Sequence, residues 1–195
     1  MDESKSPERK YIIVEQNGPY HVKGGIPLVA KIQVVSEHGE PLAWRKEGVI
    51  QAAGDYKLCR CGHSSTMPFC DDTHFEIEFD GTETAETGPT AERQRAFGRA
   101  TRIVVKKAST RGMEAGFCGM VNANMPSLVA QTSDTKVRSL VIAMVERCPS
   151  GSLTYRIEAA DTDNEPDLPQ QIVVTTEITD EGPIAGPLWV TGGIP

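Results

Sequence analysis

Three cysteines and two histidines lie close together in the chain, within residues 59–74. The spacing is Cys-x-Cys at Cys59 and Cys61, a third cysteine at Cys70, and a histidine four positions later at His74. Packing of a helix or strand does not require such a cluster, whereas thiolates and imidazoles are common ligands of transition metals. The sequence therefore predicts a metal centre whose candidate ligands are Cys59, Cys61, Cys70 and His74.

Two kinds of metal centre use three cysteines and one histidine. Zinc accepts this ligand set, although zinc knuckles typically pair their cysteines as Cys-x2-Cys rather than Cys-x-Cys. In an iron–sulfur cluster, Cys59 and Cys61 would point from one extended segment toward one iron, and Cys70 and His74 would bind the other. An imidazole ligand raises the reduction potential and adds a group that takes up a proton. Acid should therefore compete with iron for His74 and weaken retention of the cluster.

The same stretch resembles the CDGSH iron–sulfur domain of the mitoNEET-like family. Its pattern is Cys-x-Cys-x2-Ser/Thr-x3-Pro-x-Cys-Asp-Gly-Ser/Ala/Thr-His. The matching positions are Cys59, Cys61, Ser64, Pro68, Cys70, Asp71, Thr73 and His74. Asp72 departs from the pattern, because the family has glycine there, so an aspartate must adopt the turn conformation. Over residues 16–80, the resemblance implies a labile [2Fe-2S] cluster used in electron transfer, redox sensing or cluster donation.

Composition excludes several other classes of protein. Twenty-seven acidic residues against 20 basic ones give the 195-residue chain a net charge of −7, which disfavours nucleic acid as a partner. The N-terminal residues lack the apolar core of a signal peptide, and no apolar stretch is long enough to span a bilayer. The cysteines are odd in number, five, and three of them lie in one motif, which does not resemble a disulfide framework. These features favour a cytoplasmic protein that does not bind membranes.

The segments before the motif have the composition of β-strands. Tyr11–Val14, Tyr20–Lys23 and Leu28–Val35 are predicted strands, and Trp44 and 49–50 are predicted to return to the same sheet. After His74, residues 75–79 alternate apolar and acidic side chains, which predicts an extended segment. No helical periodicity precedes residue 59, so the first module is predicted to be small and β-rich.

The second half contains Cys118 and the segment Cys148-Pro149-Ser150-Gly151, and in these residues it resembles a divergent mono-cluster ferredoxin domain. Residues 100–105 and 153–158 are predicted strands, and a helix is predicted to begin after Asp134 and to end before Cys148. The Cys148-Pro-Ser-Gly segment and Cys118 carry the likeness, but Gly112 and Asn124 stand where further cysteines are expected. Two cysteines cannot hold a cubane alone, so a degenerate structural copy is favoured over a second active cluster.

One internal repeat is present. Residues 18–27 and 186–195 share the pattern Gly-Pro-x-x-Val-x-Gly-Gly-Ile-Pro. The first copy leads into the cysteine motif, so the second copy predicts the start of an incomplete second module; the alternative is a recurrent turn without shared ancestry. The predicted division is a tail at 1–10, a CDGSH-type domain at 11–80, a linker at 81–96, a ferredoxin-like domain at 97–160, a loop and strand at 161–185, and the repeat at 186–195.

No nucleophile elbow, phosphate loop or dinucleotide fingerprint occurs, so the chain is not predicted to be an enzyme. The predicted fold class is α+β, a β-rich iron–sulfur module followed by a small α+β domain. The predicted function is electron transfer or redox sensing through a [2Fe-2S] cluster. Cluster transfer and a zinc-stabilised interaction module are the alternatives. The predicted partner is a redox protein or an apo-acceptor, and modules of this family pair either as homodimers or with a second module in the same chain.

Overall fold

A computed structural model describes residues 9–100, 102–120, 123–157 and 162–195. Within these residues, several small sheets are accompanied by a few short helices, which confirms the predicted α+β class. The strands, in chain order, are β1 (Tyr11–Val14), β2 (Tyr20–Lys23), β3 (Leu28–Val35), β4 (Pro41–Ile50), β5 (Tyr56–Leu58), β6 (Arg95–Arg99), β7 (Ile103–Lys107), β8 (Gly119–Met120), β9 (Ala123–Asn124), β10 (Leu153–Ile157), β11 (Gln171–Thr179) and β12 (Gly182–Thr191). The helices are α1 (Thr73–Glu76), α2 (Thr90–Arg93), α3 (Met125–Ala130) and α4 (Thr135–Glu146).

Two sheets form the part of the protein that carries the cysteine motif. A small antiparallel sheet has the strand order β1-β2-β5. A larger sheet has the order β12-β11-β3-β4, in which β11 runs parallel to β3 and the other neighbours are antiparallel. Apolar side chains from both sheets share one core, which includes Val22, Leu28, Leu58 and Ile172. Residues far apart in the chain therefore build the support for the motif.

A third sheet, with the order β10-β7-β6, packs against α3 and α4. Its core is aliphatic, with Ile103, Val105, Val129 and Val141 fully buried. Trp44 on β4 joins this part to the larger sheet, because its ring lies 5.2 Å from that of Phe117 and its Nε1 donates to the Arg147 carbonyl at 3.0 Å. No helix among the described residues combines the length and hydropathy needed to span a bilayer.

Several predicted elements are present where the sequence placed them. The three predicted strands before the motif form, and the predicted return at Trp44 and 49–50 is part of β4. The prediction of one common sheet is wrong, because β1 and β2 lie in the small sheet and β3 and β4 in the larger one. The helix α4 begins after Asp134, whose side chain accepts a hydrogen bond from the Lys136 amide. The extended segment predicted at residues 75–79 is wrong, because Phe75 and Glu76 belong to α1 and Glu78 has a φ of 50°. The alternating pattern there does not mark a buried face, because Phe75 and Ile77 both lie at the surface.

The segment that carries the second copy of the repeat belongs to the larger sheet. Residues 186–191 belong to β12, which pairs with β11, and β11 pairs with β3. The chain from Gln171 onward thus shares a sheet and a core with the strands that precede the motif. The domain division made from the sequence stays a prediction, and so does the ferredoxin-like character of the second part.

Candidate metal centre

Strand pairing brings the separated cysteines together. β5 ends at Leu58, which forms a bridge with Phe69, and two backbone hydrogen bonds flank that bridge. The Cys59 amide donates to the Pro68 carbonyl at 2.8 Å, and the Cys70 amide donates to the Lys57 carbonyl at 3.0 Å. Cys59 and Cys70 therefore leave two neighbouring extended segments at the same end, with the loop of residues 60–67 between them.

Cys59 and Cys61 form the first pair of candidate ligands. Their sulfur atoms lie 3.7 Å apart. Burial raises the pKa of Cys59, but hydrogen bonds to its sulfur from the Ser64 and Gly62 amides, the Cys61 thiol and the His63 amide outweigh burial, so its pKa is lowered. Gly62 has a φ of 78°, a conformation that glycine adopts without strain and that turns the chain around the sulfur. The loop thus favours a thiolate at Cys59.

Cys70 and His74 form the second pair. The Cys70 sulfur lies 3.5 Å from Nδ1 of His74, which is buried in α1 with its ring against that of Phe75. Burial raises the pKa of the Cys70 thiol, and the neighbouring charges of Asp72 and Cys59 add to the increase. Cys70 therefore lies close to both Asp72 and the first pair, in a setting that disfavours an uncompensated thiolate.

Asp72 occupies the position where the family pattern has glycine. Its φ of 69° is in the left-handed region, which aspartate tolerates better than most residues. The Asp72 amide lies 3.4 Å from the Cys70 sulfur, and its carboxylate oxygen lies 3.8 Å from the same atom. The left-handed turn is therefore kept, and the substitution adds a carboxylate beside a ligand sulfur.

Asp71 ties the two sides of the loop together. One carboxylate oxygen accepts from the amide and hydroxyl of Ser65, both at 2.7 Å. The other accepts from the amide of Thr73 at 3.2 Å and from its hydroxyl at 2.7 Å. The hydroxyls of Thr73 and Ser65 hold the pKa of Asp71 well below its usual range. The ionised side chain fixes the start of α1, and so His74, against the loop.

Arg60 is a structural residue that motif reasoning missed. Its side chain is 9% exposed and lies between the rings of Tyr20 and Phe79. The guanidinium donates to the carbonyls of Gly81 at 2.6 Å and Glu15 at 3.2 Å, and it pairs with Glu83. The intervening residue of the Cys-x-Cys pair thus anchors the loop to chain segments on both sides of it.

The remaining histidines and cysteines do not join this cluster. Nδ1 of His63 bonds the carbonyl of Cys61 at 2.7 Å, His21 pairs with Glu15, and His38 is exposed. Cys118 and Cys148 line a separate cavity of roughly 190 Å³. Asn124, where a further cysteine was expected, caps α3 by accepting from the Ser127 amide, so that position has a structural role.

The ligand atoms fall into two pairs. Within the described residues, the one group of three or more histidine, cysteine or acidic ligand atoms that all lie within 4.8 Å of one another consists of Cys70, Asp72 and His74. Cys59 and Cys61 lie outside this group. The donors are thiolates, an imidazole and a carboxylate, a set that suits iron or zinc.

A comparison with protein families found a match to part of the chain. A family model described as the iron-binding zinc finger of the CDGSH type matches residues 17–75. The match begins in the turn between β1 and β2 and ends one residue after His74. No curated protein matches the chain. Residues 17–75 are therefore similar to an iron-binding domain of the CDGSH type.

Proposed function

We propose that the protein binds a [2Fe-2S] cluster and carries electrons or senses redox state through it. Cys59 and Cys61 would hold one iron, and Cys70 and His74 would hold the other. When bound, such a cluster supplies one-electron chemistry. The single observation that carries the proposal is the separation of the ligand atoms into two pairs, each with the spacing of two ligands on one metal ion.

The distances within each pair fit tetrahedral coordination. Two thiolates on one ion, with metal–sulfur bonds of ~2.3 Å, lie ~3.8 Å apart, and a thiolate and an imidazole nitrogen lie ~3.5 Å apart. The Cys59 and Cys61 sulfurs are 3.7 Å apart, and the Cys70 sulfur is 3.5 Å from Nδ1 of His74. Each pair is therefore already arranged to bind one ion without a change of side-chain conformation.

The separation between the pairs favours two metal ions over one. A single tetrahedral zinc would bring all four ligand atoms within ~4 Å of one another. Among the described residues, neither Cys59 nor Cys61 joins Cys70 and His74 in a group within 4.8 Å. In a two-iron cluster, Cys59 and Cys61 would hold one iron, and Cys70 and His74 would hold the other. Zinc remains the competing function, and the experiment below distinguishes them.

Exposed apolar side chains lie beside the candidate ligands, and they support a role in electron transfer. Phe75, beside His74, and Met67, in the ligand loop, are both exposed apolar side chains. Exposed apolar groups close to a redox centre provide a contact surface for a transient partner. The proposal is accordingly a carrier that meets a redox protein in the cytoplasm.

The first experiment is the visible absorption spectrum of aerobically purified protein, with iron, sulfide and zinc analyses. We expect a coloured protein with about two irons and two sulfides per chain. The variant His74→Cys should keep the colour with a shifted spectrum, because sulfur replaces nitrogen on one iron, and Cys59→Ser should weaken cluster retention. A colourless protein with stoichiometric zinc would end the iron–sulfur proposal.

Cluster donation is the second candidate, and it differs from electron transfer in a single measurable way. Incubation with an apo-ferredoxin should leave the acceptor without a cluster if the protein is an electron carrier. Appearance of the acceptor's own spectrum, with loss of the donor's, would favour cluster transfer instead. The His74→Cys variant serves as the matched control, because it tests whether release begins at the histidine side.

A further inference from the structure

The negative charge of the protein is concentrated in the segment that carries most of the candidate ligands. Residues 61–92 contain eight of the 27 acidic residues and none of the 20 lysines and arginines. The rest of the chain, residues 1–60 and 93–195, therefore has 19 acidic and 20 basic residues and a net charge of +1. The net charge of −7 thus arises from the segment around the metal centre and not from an evenly acidic surface.

The carboxylates around α1 have no cationic partner among the described residues. Asp72, Glu76 and Glu78 are exposed, and none of them takes part in an ion pair there. Lys57, exposed on β5, brings one positive charge close to Cys70. Three unpaired negative charges against one positive charge leave the surface at α1 acidic.

Apolar side chains lie among these carboxylates. Phe75 is 72% exposed and Ile77 is 42% exposed. The centroid of the Phe75 ring lies 4.1 Å from that of the His74 ring, and His74 itself is buried. A partner that contacts Phe75 is therefore separated from a candidate metal ligand by one side chain.

The exposed side chains at α1 form a surface that we call the α1 face. It consists of Asp72, Phe75, Glu76, Ile77 and Glu78. Protein interfaces commonly have an apolar centre and a polar rim, and charges on the rim speed association with a partner of opposite charge. The α1 face has both parts, and its rim is negative.

Charge complementarity decides between the possible occupants of the α1 face. A second copy of this chain would bring the same carboxylates against one another, and like charges across an interface oppose binding. Nucleic acid and anionic membranes are repelled for the same reason. A protein whose contact surface carries lysines and arginines around an apolar centre fits the α1 face in both respects.

We propose that the α1 face is the docking surface for a redox protein whose own redox centre is surrounded by lysine and arginine side chains. Phe75 and Ile77 form the apolar centre of the contact, and Asp72, Glu76 and Glu78 form its rim. The inference rests on the proposed function, because that function requires a redox partner. The charge and the exposure of the face do not depend on which metal the site holds.

The test uses the purified protein with its metal bound and, as the probe, cytochrome c, a small basic haem protein. Isothermal titration calorimetry at about 20 mM and about 200 mM salt measures the dissociation constant. We expect the constant to rise by at least about tenfold at the higher salt concentration, because salt screens exposed charges. Cytochrome c with acetylated lysines is the matched probe, and it should not bind, because acetylation removes the positive charge.

Paired variants of the chain locate the contact. Glu76→Gln combined with Glu78→Gln should raise the dissociation constant by about two- to tenfold at low salt, the effect of two exposed charge pairs. Asp180→Asn combined with Glu181→Gln removes the same charge from the exposed turn between β11 and β12, and it should change the constant by less. Ile77→Ser should also weaken binding, whereas Val49→Ser, at an exposed position on β4, should not.

Several results would overturn the docking surface. These are no binding at low salt, equal binding of native and acetylated cytochrome c, and equal losses for the two double variants. Amide hydrogen exchange in residues 72–78 is the remaining check. Slower exchange there with rising protein concentration, before any probe is added, would show that a second copy of the chain occupies the face.

Electron transfer is measured separately, so that the docking surface and the proposed function can fail independently. The protein is reduced with dithionite, freed of excess reductant and mixed with ferric cytochrome c, and one electron should pass to each haem, which becomes ferrous. Binding without this reduction would contradict the proposed function and leave the docking surface intact. Reduction at a rate that neither salt nor the Glu76 and Glu78 substitutions change would contradict the docking surface and leave the proposed function intact.

Discussion

At the scale of single residues, the site depends on side chains whose roles are to position the ligands. Asp71 connects the loop to α1 through four hydrogen bonds, and Arg60 connects the loop to the segments around Glu15 and Gly81. Both are charged groups that accept or donate several bonds at fixed geometry, which neutral replacements cannot reproduce. The ligand geometry is therefore prepared by the polypeptide before any metal binds.

Asp72 should set the reduction potential of the bound cluster. Its carboxylate oxygen lies 3.8 Å from the Cys70 sulfur, so its negative charge stabilises the oxidised form over the more negative reduced form. We expect Asp72→Asn to raise the midpoint potential by on the order of tens of millivolts, reduced by solvent and salt because the residue is exposed. Asparagine also tolerates the left-handed turn, so a spectroelectrochemical titration reports charge rather than folding.

The control for this measurement is Glu76→Gln, at an exposed position on α1. It removes one negative charge from α1, the helix that Asp72 precedes, and should leave the midpoint potential nearly unchanged. Equal potentials for the parent and Asp72→Asn would contradict the charge argument. A larger shift for Asp72→Gly than for Asp72→Asn would indicate that the turn, and not the charge alone, contributes.

Arg60→Lys should loosen the ligand loop. Lysine keeps the positive charge but loses the planar fork that reaches two carbonyls and stacks on Tyr20 and Phe79. We expect a loss of about 1–3 kcal/mol in the free energy of unfolding and a shorter half-life of the visible absorption. Arg45→Lys, at an exposed position, is the matched control and should change neither quantity. A half-life equal to that of the parent would contradict the anchoring role of Arg60.

The candidate ligands could be identified from the sequence, but the residues that position them could not. The Cys-x-Cys, Cys70 and His74 pattern is local and chemical, so it is readable along the chain. The partners of Arg60 at Glu15 and Gly81 are 45 and 21 residues away, and no local periodicity encodes such contacts. The one sequence signal for the anchoring role of Arg60 was its place between two candidate ligands, Cys59 and Cys61.

At the scale of elements, each ligand pair belongs to a different local structure. Cys59 and Cys61 lie on the extended segment after β5, and His74 lies on α1, a helix of one turn. The bridge between Leu58 and Phe69 joins these two structures and buries Leu58 in the core below. The rigidity of the site is thus derived from the sheet, not from α1, which is too short to be stable alone.

Prediction from sequence succeeded for elements whose pattern reflects one buried face. The helix α4, for example, is predicted because Val141, Met144 and Val145 recur at helical spacing, and all three are buried in the core under the third sheet. It failed at residues 75–79, because an alternating pattern on an exposed helix has no buried face to report. It also missed the parallel pairing of β11 with β3, because pairing between strands so far apart in the chain leaves no local signal.

Trp44 should stabilise the contact between the larger sheet and the α3–α4 part. Its indole packs near Phe117 and Trp189, and its Nε1 donates to the Arg147 carbonyl. Trp44→Phe keeps an aromatic ring but loses the donor, so we expect a loss of about 1 kcal/mol. Urea denaturation followed by circular dichroism measures it. Trp189→Phe removes an indole that makes no side-chain hydrogen bond among the described residues, so it should lower the free energy of unfolding by less. Equal losses for the two variants would contradict the role of Nε1.

At the scale of the whole molecule, the metal site is peripheral to two cores that contain none of its ligands. One core joins the two sheets around Val22, Leu28 and Ile172, and the other lies under α3 and α4 around Ile103 and Val141. Hydrophobic burial drives folding of both cores. The protein is therefore expected to keep its fold when the site is empty, in contrast to small zinc modules that unfold without metal.

Removal of iron with a chelator under reducing conditions should consequently have a local effect. We expect amide hydrogen exchange to accelerate in residues 59–76, where the loop depends on Asp71, Arg60 and the bound metal, because the like-charged thiolates then repel one another. Amides of β3, β11 and α4 should keep their protection, since their cores remain buried. Mass spectrometry of the exchanged protein before and after removal measures both regions, and return of iron and sulfide should restore the slow exchange. Loss of protection in α4 together with the loop would show that folding of the whole chain depends on the metal.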